Sequence, residues 1–200
     1  GQINADFHLL CIHQAVEGAV VGVQNYTFRG GRDVVRGSDI PEGITAVLSG
    51  HIHRAQVLTK DLHGQKLAAP VVYPGSIERT SFVERDEAKG FMILELDRGN
   101  SAHLVESGIK FNKLPTRPMV NLEVDVDGVG GETLLDLVSQ QLAELDPDSV
   151  VRIQLVGGIT PLVEAALSAA ELRRISPPTM NVALARNRYS AMLKTQYGKI

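Results

Sequence analysis

The sequence has a single cysteine and no long apolar run, and each absence excludes a class of protein. One cysteine, Cys11, allows neither an internal disulfide nor a zinc site built from several thiolates. Because its neighbours Leu9, Leu10 and Ile12 are apolar, we expect Cys11 to be a buried small hydrophobic side chain. No run of about 18 apolar residues occurs, and the first residues resemble no secretory signal. We therefore expect a cytoplasmic protein that makes no membrane contact.

Charge is distributed unevenly along an otherwise ordinary globular composition. The formal net charge is -3, with 44% hydrophobic and 22% charged residues. The segment 123–148 carries eight acidic residues and no Lys or Arg, whereas the segment 173–200 has six basic residues and no Asp or Glu. This basic segment fits either a contact with a phosphate backbone or a solvated helix end and terminus.

Apolar periodicity predicts an α/β fold with two domains, 1–114 and 115–200, separated at two closely spaced prolines. The first domain is predicted to be strand-rich, and the second to have the order β-α-β-α-β. The residues 18–41 show no period and are predicted to be a long loop. The predicted strands are 7–12, 44–48, 55–59, 69–73, a hairpin of 90–96 with 102–106, and 120–126, 151–155 and 180–185; the predicted helices are 134–145 and 160–174.

The segment Ser49-Gly50-His51-Ile52-His53-Arg54 is the sharpest local signal for chemistry. It directly follows a predicted buried strand, and ligands in open α/β sheets collect beyond the carboxyl ends of strands. Histidines two residues apart in an extended segment point to the same side, so both imidazoles can reach one small volume. Two surface histidines in a loop are the structural alternative.

His13 occupies the equivalent position after the other predicted buried strand. A lone histidine in such a place is more often a hydrogen-bonded residue of the core or of its edge. Together with His51 and His53, it gives three histidines at the ends of two apolar runs. The sequence therefore predicts that three imidazoles meet at one edge of a sheet and could bind a metal ion.

Four segments in this order resemble the later motifs of the calcineurin-like metallophosphoesterases. They are Leu9 to Gln14, Gly50 to His53, Tyr73 to Ser76 and Glu84 to Phe91. The last two are similar to the branch of SbcD-type exonucleases that act in DNA double-strand-break repair. The resemblance covers residues 5 to 110, and the order of elements beyond Pro118 resembles the capping domain of that branch.

This resemblance implies the back half of a metallophosphoesterase β-sandwich followed by a small cap domain. It implies a site with two divalent ions, most simply Mn²⁺, with His13 and His51 as ligands of one ion. His53 would bind the other ion and act as a catalytic residue. The implied activity is exonuclease and endonuclease hydrolysis of DNA phosphodiester bonds. The implied partners are DNA, a second copy of the chain and an SbcC-type coiled-coil ATPase, whose docking segment lies beyond the cap domain in that family.

The chain also departs from the family pattern. The family's first half carries acidic metal-binding motifs, and none of them stands in its proper place here. Asp61-Leu62-His63 has the right letters, but it follows His53 and is flanked by Lys60 and Gly64, which predicts a hairpin turn. Without a bridging carboxylate, two dications would repel each other with little compensation. We therefore expect the chain alone to be an incomplete fragment that binds metal weakly and is poorly active.

Further predictions concern the substrate. Ser76, Arg79 and Arg54 are candidates for binding phosphate, because Arg is suited to bidentate phosphate contacts; turn formation and salt bridges are the alternatives. The loop residues Tyr26 and Phe28, beside Arg29 and Arg32, could stack bases or simply pack on the sheet. The charged segment from Glu84 to Lys89 is predicted to be a solvated turn.

Two other functions fit the same residues. The chain could be a phosphodiesterase for a nucleotide or another small substrate, or a module that binds DNA or protein without catalysis. Steep salt dependence of binding would indicate long DNA. Binding that is independent of metal and of His51 would indicate the module.

Overall fold

The computed structural model describes residues 5–99 and 103–185. The chain divides into two compact units, one up to Thr116 and one from Arg117. The described part of the first unit is built mainly from β-strands, whereas that of the second combines three strands with three helices, so the expected mixed α/β class is confirmed at this level. Within the described residues, no helix is long and apolar enough to cross a membrane. Most of the predicted basic segment, from 186 onward, lies outside the described residues.

Twelve strands make up the described part of the first unit, together with three short 3-10 turns at Gly37–Asp39, Phe82–Glu84 and Glu106–Gly108. The strands are β1 (Leu9–Ile12), β2 (Ala15–Val16), β3 (Val20–Val21), β4 (Tyr26–Thr27), β5 (Val34–Val35), β6 (Ala46–Ser49), β7 (Gln56–Lys60), β8 (Lys66–Tyr73), β9 (Gly90–Ile93), β10 (Leu96–Asp97), β11 (His103–Leu104) and β12 (Lys110–Lys113).

The main sheet of this unit has the order β1-β6-β8-β7. The strands β1, β6 and β8 are parallel, and β7 returns antiparallel to β8. Apolar side chains cover both faces of the central strands: Val47 and Val71 belong to one core cluster, whereas Ala46 and Val72 belong to another. Near-continuous apolar runs are what strands buried on both faces require.

The predicted hairpin of 90–96 with 102–106 is only partly correct. Strands β10 and β11 do pair antiparallel, but β9 pairs with β12, a strand that the sequence pattern did not predict. Residues 100–102 of the predicted hairpin lie outside the described residues. Met92 of β9 and Leu94, which follows this strand, pack on the cluster around Ala46 and Val72. The pairing of β9 with β12 depends on this packing, which no local pattern reveals.

Two further predictions need correction. The segment 18–41 contains short ladders: β3 pairs antiparallel with β4, and β5 pairs parallel with β2. Cys11 is exposed, not buried. It lies on the same face of β1 as Leu9, which is 44% exposed, because β1 is an edge of the sheet in the described part of the chain. Its apolar neighbours Leu10 and Ile12 face the other side and pack on the core.

The second unit follows the predicted order, with one change. Its elements are β13 (Met119–Asp125), α1 (Gly131–Ala143), β14 (Val150–Val156), α2 (Pro161–Ala166), α3 (Ala169–Ile175) and β15 (Asn181–Leu184). The three strands are parallel, in the order β13-β14-β15. Leu134, Val138 and Leu142 bury one face of α1, as the helical period predicts.

The predicted single helix 160–174 is instead two short helices. Thr160 caps α2 as predicted, with its hydroxyl accepting a hydrogen bond from N of Val163 at 3.3 Å. The chain leaves helical geometry at Leu167, and Ser168 caps α3 by accepting from N of Glu171. A buried Leu167 between the helices explains the break, because its side chain joins the core there.

Tyr73 provides a test of the packing in the first unit. Its buried hydroxyl accepts a hydrogen bond from N of Val16 at 2.8 Å and donates one to O of Gln14 at 3.0 Å. Tyr73→Phe leaves the buried N–H of Val16 without this acceptor. We therefore expect the free energy of unfolding to fall by about 1–3 kcal/mol in urea unfolding experiments.

Tyr26→Phe is the matched control, because Tyr26 is 61% exposed. Its effect on the free energy of unfolding should stay within about 0.5 kcal/mol. Equal losses in the two variants would contradict the role given to the hydroxyl of Tyr73.

Candidate functional site

His13 and His51 lie side by side at the carboxyl ends of two neighbouring strands. Strands β1 and β6 are parallel, and Ile12 is in register with Ser49. The next residues therefore leave the sheet together, and N of Gly50 donates to O of Ile12 at 3.0 Å. The two imidazole ring centroids are 5.5 Å apart, with the rings edge to face. Both side chains are exposed, so a ligand can reach them.

The backbone of this segment is shaped to bring the rings together. A Cβ atom at Gly50 would lie 2.5 Å from Nδ1 of His13, so glycine is the residue that leaves room for the imidazole. His51 has a φ of 75°, a left-handed conformation that is uncommon for a residue with a side chain. Strained residues of this kind cluster at functional sites.

His53 lies in a different environment from the other two histidines. Its Nδ1 atom is 3.1 Å from Oε1 of Glu84 and 3.3 Å from Oγ1 of Thr80. Its carbonyl oxygen accepts hydrogen bonds from N of Ser76 at 3.2 Å and from Nζ of Lys89 at 3.0 Å. The segments after β6 and β8 and the charged segment before β9 therefore meet at His53.

Lys89 is the buried centre of this network. Its side chain has no exposed surface, and Nζ lies 2.7 Å from Oε2 of Glu84 and 3.2 Å from Oε2 of Glu87. The prediction of a solvated turn over Glu84 to Lys89 is therefore wrong for Lys89. A buried ammonium group requires such compensation, because it loses its hydration.

Glu84 is held in its ionised form. Burial alone would raise the pKa of its carboxyl group. Hydrogen bonds from Lys89, His53 and Thr80 and the charge of Lys89 outweigh the burial, and they lower the pKa from 4.5 to about 2.

Arg54 and Arg79, predicted to bind substrate, make hydrogen bonds within the protein. The guanidinium group of Arg54 donates to Oε1 of Glu87 at 3.0 Å and, in the turn between β3 and β4, to Oδ1 of Asn25 and O of Gly22, each at 2.7 Å. Arg79 donates from Nε and Nη2 to O of Glu87, each at 3.3 Å. These contacts join the segments around the histidines.

Ser76, the third predicted substrate-binding residue, lies in the tight turn that follows β8. Its hydroxyl donates to O of Glu78 at 2.8 Å, and its carbonyl oxygen accepts from N of Gly90 at 3.2 Å. The preceding Gly75 has a φ of 80°, and a Cβ there would lie 2.9 Å from O of His53. The turn therefore needs glycine to approach the histidine segment closely.

Two other sequence predictions are resolved by their contacts. Oδ1 of Asp61 accepts from N of His63 and N of Gln65, each at 2.8 Å, so Asp61 forms the predicted turn between β7 and β8. Phe28 packs on the core of the first unit, whereas the neighbouring Tyr26 is 61% exposed. Their rings meet edge to face at 5.3 Å.

A cavity of about 370 Å³ opens beside His51 and His53. Its wall combines charged and polar side chains with apolar ones. The lining residues are Val21, Gly22, His51, Ile52, His53, Arg54, Ser81, Val83, Glu84 and Glu87. A cavity of this size fits a small ligand or one residue of a polymer.

The donor set fits only part of a metal centre. Within residues 5–99 and 103–185, no group of three or more His, Cys, Asp or Glu side chains is arranged to hold a metal ion. His13 and His51 are close enough to share one ion, whereas Nδ1 of His53 faces Glu84. The carboxylates nearest to His53 already neutralise Lys89 and Arg54.

Sequence reasoning missed Glu84, Thr80 and Lys89 as parts of this site. Two signals were present: the resemblance of the segment from Glu84 to Phe91 to a family motif, and the run of charges before β9, which is more often a solvated surface. Comparison with models of known protein families gave no match, and a search of curated proteins gave none either.

The lowered pKa of Glu84 predicts a pH dependence of stability. Its pKa in the folded state is below the ordinary value, so its stabilising effect is complete above pH 4.5 and is lost as the pH falls towards 2. In urea unfolding experiments across that range, we expect the free energy of unfolding of the wild type to fall by about 3 kcal/mol more than that of Glu84→Gln. Parallel pH profiles of the free energy of unfolding for the two proteins would contradict the lowered pKa of Glu84. Glu42→Gln, at an exposed glutamate, should keep the wild-type profile.

Proposed function

We propose that this chain carries part of the active site of a metal-dependent phosphodiesterase that hydrolyses DNA. The observation that carries the proposal is the convergence of His13, the His51–His53 segment and the turn at Ser76 beyond the ends of β1, β6 and β8. Ligand sites in parallel sheets collect at this edge. The proposed fold of the first unit is the back half of a metallophosphoesterase sandwich, and that of the second unit is a cap domain.

In this proposal, His13 and His51 bind one divalent ion and His53 binds a second, with Mn²⁺ as the preferred metal. Imidazole nitrogen is a suitable ligand for such ions. Ions held by these residues would supply a water molecule of lowered pKa and positive charge beside the scissile phosphate. The histidines would fix the position of this chemistry at the mouth of the cavity. We expect weak metal binding by the chain alone, because three neutral imidazoles compensate little of the charge of two dications.

The proposed substrate is DNA in double-strand-break repair, and the proposed partners are a second copy of the chain and an SbcC-type coiled-coil ATPase. Exposed Arg29 and Arg32, next to the exposed ring of Tyr26, support contact with a nucleic acid. The polar side-chain atoms of Arg54, Arg79 and Ser76 make hydrogen bonds within the protein. In this proposal, these three residues therefore affect substrate binding indirectly, because they hold the segments around the cavity in place.

A second candidate is a module that binds DNA or protein without catalysis. The observation in its favour is the incomplete donor set, since Glu84 and Glu87 are already paired with Lys89 and Arg54.

A phosphodiesterase for a small substrate is the other alternative. The size of the cavity beside His53 suits a nucleotide or another small phosphodiester.

Hydrolysis of end-labelled double-stranded DNA and of an activated small phosphodiester, each with and without Mn²⁺, tests the proposal. We expect slow Mn²⁺-dependent cleavage that falls at least about tenfold in His51→Ala, because the variant removes a ligand. His63→Ala is the matched control, since His63 lies in the turn after β7, and it should retain wild-type activity.

Metal-independent binding of DNA that is unchanged in His51→Ala would contradict the proposal and favour the binding module. Cleavage of the small phosphodiester alone would favour the small substrate. For DNA, the observed affinity should fall steeply with salt concentration, because a protein that contacts several phosphates releases counterions.

A further inference from the structure

One nitrogen of the His53 ring receives two protein contacts. Nδ1 is 3.1 Å from Oε1 of Glu84 and 3.3 Å from Oγ1 of Thr80. The hydroxyl of Thr80 also lies 2.9 Å from the same Glu84 oxygen, to which it donates. Both contacts are therefore made to Nδ1, and neither involves Nε2.

The identity of the donor follows from the partners of Glu84. Its second oxygen, Oε2, is 2.7 Å from Nζ of Lys89, whose side chain has no exposed surface. A carboxylate paired with a buried ammonium group is ionised, and an ionised carboxylate only accepts hydrogen bonds. Nδ1 of His53 must then carry the proton in this contact. A neutral imidazole has one donor and one acceptor nitrogen, so Nε2 keeps its lone pair.

We infer that Glu84 is a positioning residue that fixes His53 in the Nδ1–H tautomer and reserves Nε2 as the atom that binds the metal. This inference deepens the proposed function and rests on it for the identity of the ligand. Carboxylates that accept the second N–H of a metal-binding histidine fix its ring orientation in the same way. Lys89 would hold Glu84 in place for this task.

Glu87 provides a matched control. Like Glu84, it pairs with Nζ of Lys89, at 3.2 Å. Its other oxygen binds Nε of Arg54 at 3.0 Å, not the ring of His53. Glu84→Gln and Glu87→Gln therefore remove the same charge from the same buried lysine, but only the first changes the partner of His53. An effect that comes only from stability should appear in both variants.

The test is the ¹⁵N spectrum of the histidine side chains at about pH 8, where imidazole groups are ordinarily neutral. In the wild type and in Glu87→Gln, we expect the ring of His53 to be mainly in the Nδ1–H form. In Glu84→Gln, we expect the population to move towards the Nε2–H form, because the neutral amide no longer requires a proton on Nδ1. A wild-type ring with its proton on Nε2, or the same tautomer ratio in all three proteins, would overturn the inference.

Binding of Mn²⁺ alone, measured by electron paramagnetic resonance on the same three proteins, separates this inference from the proposed function. We expect the affinity to weaken about 10- to 100-fold in Glu84→Gln and to change much less in Glu87→Gln. Equal affinities in Glu84→Gln and the wild type would overturn the role of Glu84 in metal binding. If the wild type binds no Mn²⁺ but shows the Nδ1–H form, the metal site fails and the tautomer assignment stands.

Discussion

The buried ammonium group of Lys89 is the interaction on which the candidate site depends. Removing such a group from water costs several kcal/mol, so it is tolerated only where hydrogen bonds and opposite charges replace its hydration. Its three donors reach Glu84, Glu87 and the carbonyl oxygen of His53. The histidine segment and the charged segment before β9 therefore cannot separate without leaving a buried charge uncompensated.

This constraint determines which groups are available for a ligand. Lys89 and Arg54 neutralise Glu84 and Glu87, and Arg54 extends the network to the turn between β3 and β4. The charged groups in this part of the cavity wall therefore pair with each other and stabilise the fold. The imidazoles of His13 and His51 are exposed beside them, at the ends of parallel strands. The protein thus places two exposed imidazoles at the edge of the sheet beside a charged wall.

The sequence predicted the parts of the site that depend on local pattern. Two apolar runs that each end at a histidine were sufficient to place His13 beside His51, because parallel strands end at the same edge of a sheet. The burial of Lys89 was not predictable, since its partner His53 is distant in sequence and a run of charges normally lies in solvent. The exposure of Cys11 was not predictable either, because an apolar run does not reveal which strand forms the edge of a sheet.

The fold shows the same division between local and distant information. The helical spacing of the apolar residues in α1 and the cap at Thr160 follow from neighbouring residues, and both were predicted. The pairing of β9 with β12 and the break between α2 and α3 depend on packing against distant residues. For these elements, tertiary contacts outweigh local propensity.

Paramagnetic broadening by Mn²⁺ tests the central proposal, that the histidines after the strand ends belong to one centre for two divalent ions. The measurement follows the ring signals of all histidines as Mn²⁺ is added below one equivalent. We expect His13, His51 and His53 to broaden first, while His63 in its distant turn stays sharp. Equal broadening of His63, or no selective broadening of the three, would contradict the account.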